Sequence, residues 1–213
     1  SLHTPVIIFT VINQIMPQMR AHICWIVLAI GCLQSCMSNL GYRQVKEMNK
    51  QDVIAFAKKM NVHDSLSYIA DTSYLKTLKQ SDKTTQNTLL QPLQIIVYQK
   101  DSIYCHIINC HVGGFPYLKW KRTKSLDSFP ISQGLTRPTI GTITKQIMER
   151  SISPLHNKFE NKQNKNYSIF FLYSRVSYRN TKKFIKIAKT YIKQYPSSAN
   201  YYFVNTDMAL NDY

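Results

Sequence analysis

Two short runs carry residues able to do thiol or metal chemistry, Cys105-His106 and Cys110-His111. Thiolate and imidazole are the usual ligands of zinc. Their surroundings, Ile103 to Val112, read as a β-strand, and side chains alternate along a strand. Cys105 and His111 are then expected on one face, His106 and Cys110 on the other. At about 3.3 Å per residue, His106 and Cys110 stand about 13 Å apart along the strand. A tetrahedral zinc needs each ligand within about 2.3 Å, and a disulfide needs Cα atoms within about 7 Å. Packed or surface strand residues are therefore expected, with a metal or a disulfide open only to a bulge or bend. No Cys-x-x-Cys occurs, so neither a dithiol redox site nor a zinc knuckle is signalled. No metal or cofactor is expected.

Three further groups have the right residue types for binding. Arg175, Ser177, Arg179 and Asn180 follow the apolar run Ser168 to Tyr173, and Asp207 follows a second run, Ala199 to Asn205. If both runs are parallel strands, these residues sit at the carboxyl ends, where ligands often bind, and the arginines can hold an anion. Trp120 with Lys119, Lys121 and Arg122 makes a basic-aromatic surface for a membrane interface, a sugar or a base. The alternative there is an aromatic flap over the core with solvated lysines. Gly113-Gly114 lacks the Lys-Ser/Thr of a phosphate loop and reads as a tight turn. Gly-x-Ser-x-Gly and His-Glu-x-x-His are absent and the acids are scattered, so no catalytic residue is nominated.

The elements that position these groups read as follows. Asn49 caps a helix from Lys50 to Met60. Asp64 caps a second helical segment, through Leu66, Ile69 and Leu75 to Leu78. Gln80 to Gln91 is polar and reads as a loop. Leu93 to Gln99 and Ile103 to Val112 form a hairpin about Lys100-Asp101-Ser102. Thr144 to Ile152 reads as one short helix, and His156 to Asn166 as a surface loop or linker. Ser168 to Tyr173 is continuously apolar, as expected of a strand buried on both faces. Ser177 or Asn180 caps the helix that follows, to about Tyr195. Phe184, Ile185, Ala188, Tyr191 and Ile192 make its apolar face, and Lys182, Lys186, Lys189 and Lys193 a stripe opposite. Strand, helix and strand then imply a parallel pair. The expected fold is mixed α/β: a small mixed sheet with an N-terminal helical part, an antiparallel hairpin and a C-terminal parallel βαβ unit.

The chain carries a formal charge of +16. Removing Arg20 from the 27 basic residues leaves 26 after Cys36, against 11 acidic ones. That excess attracts phosphate headgroups, anionic glycans or nucleic acid. Composition alone also accounts for it, since the chain is rich in Lys, Asn, Ile and Tyr.

Ile23 to Leu33 is an apolar run of signal-peptide length, too short to span a membrane as a helix. Arg20 precedes it and Leu33-Gln34-Ser35-Cys36 ends it. This ending resembles the lipobox of bacterial lipoproteins. The resemblance implies a diacylglycerol on the Cys36 thiol, cleavage before Cys36 and acylation of the new amino terminus. A thiolate suits that transfer because it is a far better nucleophile than a hydroxyl. Val6 to Ile12 is a separate apolar patch, and translation more naturally starts at Met16 or Met19. The organisation expected is 1–35 leader, 36–48 lipidated tether and 49–213 a single α/β domain. The alternatives are an uncleaved anchor helix and a cytosolic protein.

The C-terminal strand-helix-strand resembles the first half of a thioredoxin-like domain. There a Cys-x-x-Cys pair opens the helix, and matching the strands puts Ser177 and Asn180 at those positions. Both sulfurs are missing, so the resemblance implies no thiol chemistry at that turn. The family's hairpin follows this unit, whereas here a hairpin precedes it, as in a permuted order. Leu40-Gly41-Tyr42-Arg43 and Gly113 to Trp120 also resemble uncharacterised envelope lipoproteins of gut bacteria, which implies a location and no activity.

The expectation is a lipid-anchored protein of the bacterial cell envelope, facing the periplasm, serving binding or assembly rather than catalysis. Its partners would be a membrane, reached through the lipid, with anionic headgroups or glycans and an envelope protein. The alternatives are a thioredoxin-like domain with residual thiol redox or ligand binding through Cys105 or Cys110, and a basic nucleic-acid-binding protein. The last explains the charge but not the leader.

Overall fold

The computed structural model describes residues 47–108, 126–131, 143–156 and 165–211. Cys36, Cys110, His111, Lys119, Trp120, Lys121 and Arg122 lie outside the described residues.

Helix α1 (Lys50–Lys59) starts as expected. The Asn49 side chain accepts the Asp52 amide at 2.9 Å, and the Asp52 carboxylate accepts the Asn49 amide in return. That reciprocal capping satisfies two amides that have no partner inside the helix. The next segment differs from the expected helix. Asp64–Leu66 is a single 3-10 turn, and strand β1 (Ser67–Ala70) follows. Helix α2 (Thr72–Gln80) begins only after Asp71, whose carboxylate accepts the Ser73 amide at 2.8 Å. Ser67–Ala70 is buried on both faces, so its apolar residues need not alternate, and so short a run does not distinguish strand from helix. Pairing of β1 on two sides decides for the strand.

The polar stretch read as a loop contains helix α3 (Lys83–Leu89). Asp82 caps it twice, accepting the Thr84 and Thr85 amides at 2.9 and 3.0 Å. Without an apolar stripe, α3 depends on that cap and on burial of Thr85 and Leu89. Strands β2 (Leu93–Gln99) and β3 (Ser102–Ile108) form the hairpin. Helix α4 (Lys145–Arg150) is capped by Thr144 but ends before Ile152, which opens the short strand β4 (Ile152–Pro154). Strand β5 (Tyr167–Tyr173), helix α5 (Tyr178–Gln194), strand β6 (Asn200–Asn205) and helix α6 (Asp207–Asn211) complete the described chain.

The six strands make one mixed sheet in the order β3-β2-β5-β6-β1-β4. Pairs β5-β6 and β6-β1 are parallel; β3-β2, β2-β5 and β1-β4 are antiparallel. The fold is mixed α/β, with the hairpin and the parallel βαβ unit both present. β5 sits between β2 and β6, and Ser168 to Tyr173 are all buried.

Alternation along the strands divides the core into two layers. On one face Ile95, Val97, Cys105, Ile169, Phe171 and Phe203 pack under α1 and α5. On the other, Ile96, Tyr98, Phe170, Leu172, Tyr202 and Val204 pack with α2, α3, α4 and α6. The Phe170 and Tyr202 rings stack across neighbouring strands, with centroids 4.2 Å apart and planes 8° from parallel. Each large side chain buried in such a layer contributes about 1.5–3 kcal/mol.

Candidate functional site

The carboxyl ends of β5 and β6 meet where expected, and Asp207 is the centre of what gathers there. Its Oδ1 accepts the Ser174 hydroxyl at 2.5 Å and the Arg175 amide at 2.9 Å. Its Oδ2 accepts the Asn205 amide group at 2.8 Å and the Arg175 amide at 3.0 Å. Asn205 Oδ1 in turn accepts the Asp207 amide at 3.0 Å. The carboxylate therefore ties the turn after β5 to the turn after β6. Burial pushes its pKa up, while the hydrogen bonds from Ser174, Asn205 and Arg175 and the Arg175 charge hold it back in part.

Ser177 stands at the N-cap position of α5, but its side chain makes no cap bond. Its hydroxyl oxygen instead accepts the Asn180 amide group at 3.4 Å, and both residues are buried. Thr181 donates to the Ser174 carbonyl at 2.6 Å, which fixes the turn against the first helical turn. Arg175 is half-buried and Arg179 exposed. Ser174, Arg175, Asn205 and Asp207 thus form one bonded group, with Ser177 and Asn180 beside it. The main-chain amide an outside anion would use at Arg175 already serves an internal carboxylate. Two contributors were not legible in the sequence. Thr181 reads as an ordinary helix residue, and Tyr173 reads as core. The Tyr173 hydroxyl is nonetheless buried without a hydrogen-bond partner among the described residues, its pKa raised by burial and by the Asp207 charge.

The hairpin residues separate as the strand period requires. Cys105 belongs to the layer under α1 and α5, whereas His106 faces the opposite layer. A register shift between Val97 and Tyr98 marks a bulge in the β2-β3 pair, and it does not bring the two side chains to one face. Burial pushes the Cys105 thiol up to about 11 and the His106 imidazole down to about 4. Among the described residues, no group of three or more His, Cys, Asp and Glu side chains could hold a metal ion.

The lysine stripe of α5 is exposed at Lys182, Lys183, Lys186, Lys189 and Lys193. Exposed Lys58 and Lys59 add to it from α1, where the Lys59 ammonium lies 5.5 Å over the Tyr178 ring. Lys189 donates to the Asn61 carbonyl at 2.9 Å, joining the two helices. Among the described residues the ion pairs are Lys145 with Glu149 and His156 with Asp64, so no carboxylate neutralises the α5 lysines.

Comparison with known proteins identifies no relative. No protein-family model, curated protein or solved structure matches the chain. Among the described residues no helix is long and apolar enough to cross a membrane.

Proposed function

We propose that this chain is a non-catalytic binding or assembly module of a bacterial envelope, held on a membrane by a lipid on Cys36. Its basic α1–α5 face lies toward an anionic surface. The observation that carries the second half is the row of exposed lysines on α5 without a neutralising carboxylate among the described residues. Like charges one turn apart on a helix cost a few tenths of a kcal/mol per pair. Anionic headgroups relieve that repulsion, and each lysine near such a surface contributes about 1 kcal/mol. Stable attachment takes two signals, and an acyl chain plus a polybasic face is one such combination. An anionic glycan or an acidic envelope protein would use the same face. An exported chain has little access to nucleic acid.

A permuted thioredoxin-like order is our proposal for the finer class of the fold. It is supported by the hairpin β2–β3 lying antiparallel against β5, beside the parallel β5-α5-β6 unit. Residual thiol chemistry draws no support from Cys105, which is buried with its pKa raised.

Two measurements test the function. Intact mass of the N-terminal peptide from the membrane fraction should show an acylated terminus at Cys36, lost in Cys36→Ala. An unmodified terminus at Met16 or Met19 would remove the lipoprotein. Separately, chain lacking the lipid should sediment with phosphatidylglycerol vesicles at low salt and not with phosphatidylcholine. Equal retention of wild type and the Lys182→Gln/Lys186→Gln/Lys189→Gln/Lys193→Gln variant would remove the lysine face.

A further inference from the structure

A cleft of about 460 Å³ lies at the amino ends of β5 and β6, the opposite end of the sheet from Asp207. Lys100, Asp101, Lys145, Lys165 and Asn166 line it. We propose that this cleft binds a phosphomonoester group carried by a small hydrophilic molecule.

The three lysines come from three separate segments; main-chain hydrogen bonds hold Lys100 and Lys145, and a side-chain bond holds Lys165. Lys100 leads the β2–β3 turn, and its amide donates to the Asn166 carbonyl at 2.8 Å. Lys145 opens α4, and its amide donates to the Asp101 carbonyl at 3.2 Å. Lys165 precedes β5, and its ammonium donates to the Ala199 carbonyl at 3.1 Å. Lys100 also holds a positive φ of 54°, a left-handed conformation that glycine or asparagine adopts at lower cost. The turn thus keeps a lysine where an easier residue would serve the backbone.

The charges indicate the ligand. Among the described residues the lining holds three lysines and one carboxylate, Asp101, whose Oδ1 accepts the Gln146 amide at 2.9 Å. Glu149 lies outside the lining. One of its oxygens stands 3.4 Å from the Lys145 ammonium and the other accepts the Tyr202 hydroxyl. Lys100 has no side-chain partner among the described residues. With Glu149 counted against Lys145, three ammonium groups and two carboxylates leave one net positive charge, which attracts a phosphomonoester carrying about −1.5 to −2 at neutral pH. Lysines act as point charges and suit a tetrahedral oxyanion; planar bidentate recognition of a carboxylate favours arginine. The volume exceeds one ion and falls in the range of small-molecule sites, about 300–1,000 Å³. The described residues that line the cleft are all charged or polar, which suits a hydrophilic ligand. A soluble phosphate ester and an exposed lipid phosphate share this chemistry. The site is distinct from the α1–α5 face and does not depend on it.

Titration calorimetry of the full chain at low salt tests this with inorganic phosphate and with glycerol 3-phosphate. A sedimentation arm uses phosphatidic acid vesicles. Lys100→Gln should weaken binding about tenfold, the loss expected for one charge-assisted contact. Adding Lys165→Gln should weaken it further. Lys79→Gln/Lys83→Gln removes two exposed lysines outside the cleft and should leave affinity within about twofold. Cleft-dependent binding to glycerol 3-phosphate assigns a soluble ester; cleft-dependent binding to the vesicles alone assigns a lipid phosphate. Absence of binding to all three probes overturns the proposal, as does an equal loss in the Lys79/Lys83 variant. Lys165→Gln gives up the bond to Ala199, so if it fails to fold, Lys100→Gln decides alone.

Discussion

His106 and Gln94 meet across the β2–β3 pair, His106 Nε2 standing 3.0 Å from Gln94 Oε1, and both are fully buried. The Gln94 amide group donates to the Leu89 and Gln91 carbonyls at 2.8 and 2.7 Å. Its oxygen is therefore the atom that faces His106, and Nε2 must carry the hydrogen. The Tyr74 hydroxyl donates to the same Leu89 carbonyl at 3.1 Å. These contacts close the end of α3 against the sheet.

Burial lowers the His106 pKa to about 4 from an ordinary 6.5. Between those values the unfolded chain binds a proton that the folded chain refuses, so stability rises with pH. This contribution is complete above about pH 6.5 and is lost as pH falls toward 4. The loss should approach about 3 kcal/mol. Urea midpoints from pH 7 to pH 4 measure it, and His106→Gln should flatten the slope. A slope unchanged in that variant would exclude His106 as its source.

Asp207→Ala should destabilise the chain by about 3 kcal/mol, because the buried donors of Ser174 and Asn205 and the part-buried Arg175 amide lose their acceptor. The sign of its pH effect is opposite to that of His106. A carboxyl with a raised folded pKa favours the folded state when protonated. That contribution is present below the ordinary carboxylate value of 3.8 and is lost as pH rises through the folded value. Asp207→Asn should remove this acid-side gain. Denaturant midpoints across the acid range compare both variants with wild type.

Asn49→Ala should cost about 1 kcal/mol, the usual loss for an N-cap. Amide exchange localises it. Protection in the first turn of α1 should fall, while that of β5 changes only with global stability.

Cys105 should resist alkylation at pH 8 in the folded chain, since burial holds its thiol protonated at a pKa of about 11. Mass mapping after a short iodoacetamide pulse reads this. Labelling should appear only at denaturant concentrations that unfold the sheet. Rapid labelling in native buffer would reopen a thiol role for this residue.

Local signals in the sequence were enough for several elements. Asn49 before Lys50 carries its own cap. The apolar run Ser168 to Tyr173 can be satisfied only by burial on both faces, and α5 shows its buried and lysine faces by spacing alone. The alternation that separates Cys105 from His106 is a property of any strand. The meeting of the two turns beyond β5 and β6 was legible too, because two parallel strands joined by a helix must bring their carboxyl ends together. Its internal bonding was not legible, since hydrogen-bond partners 32 and 33 residues apart leave no local trace.

Tertiary contact decided the rest. Ser67–Ala70 is a strand because β6 and β4 pair with it on both sides, although its spacing allows a helix. Lys83–Leu89 is a helix because Asp82 caps it and Leu89 meets a buried layer, although its sequence is polar. The cleft of Lys100, Lys145 and Lys165 is the clearest case. Three lysines spread over 65 positions carry no common spacing, and only the sheet order brings the hairpin turn, the start of α4 and the approach to β5 to one place. The sequence by itself determined which segments are apolar, capped or charged, because those properties are local. Which charges stand together depends on contacts between distant segments, and those exist only in the folded chain.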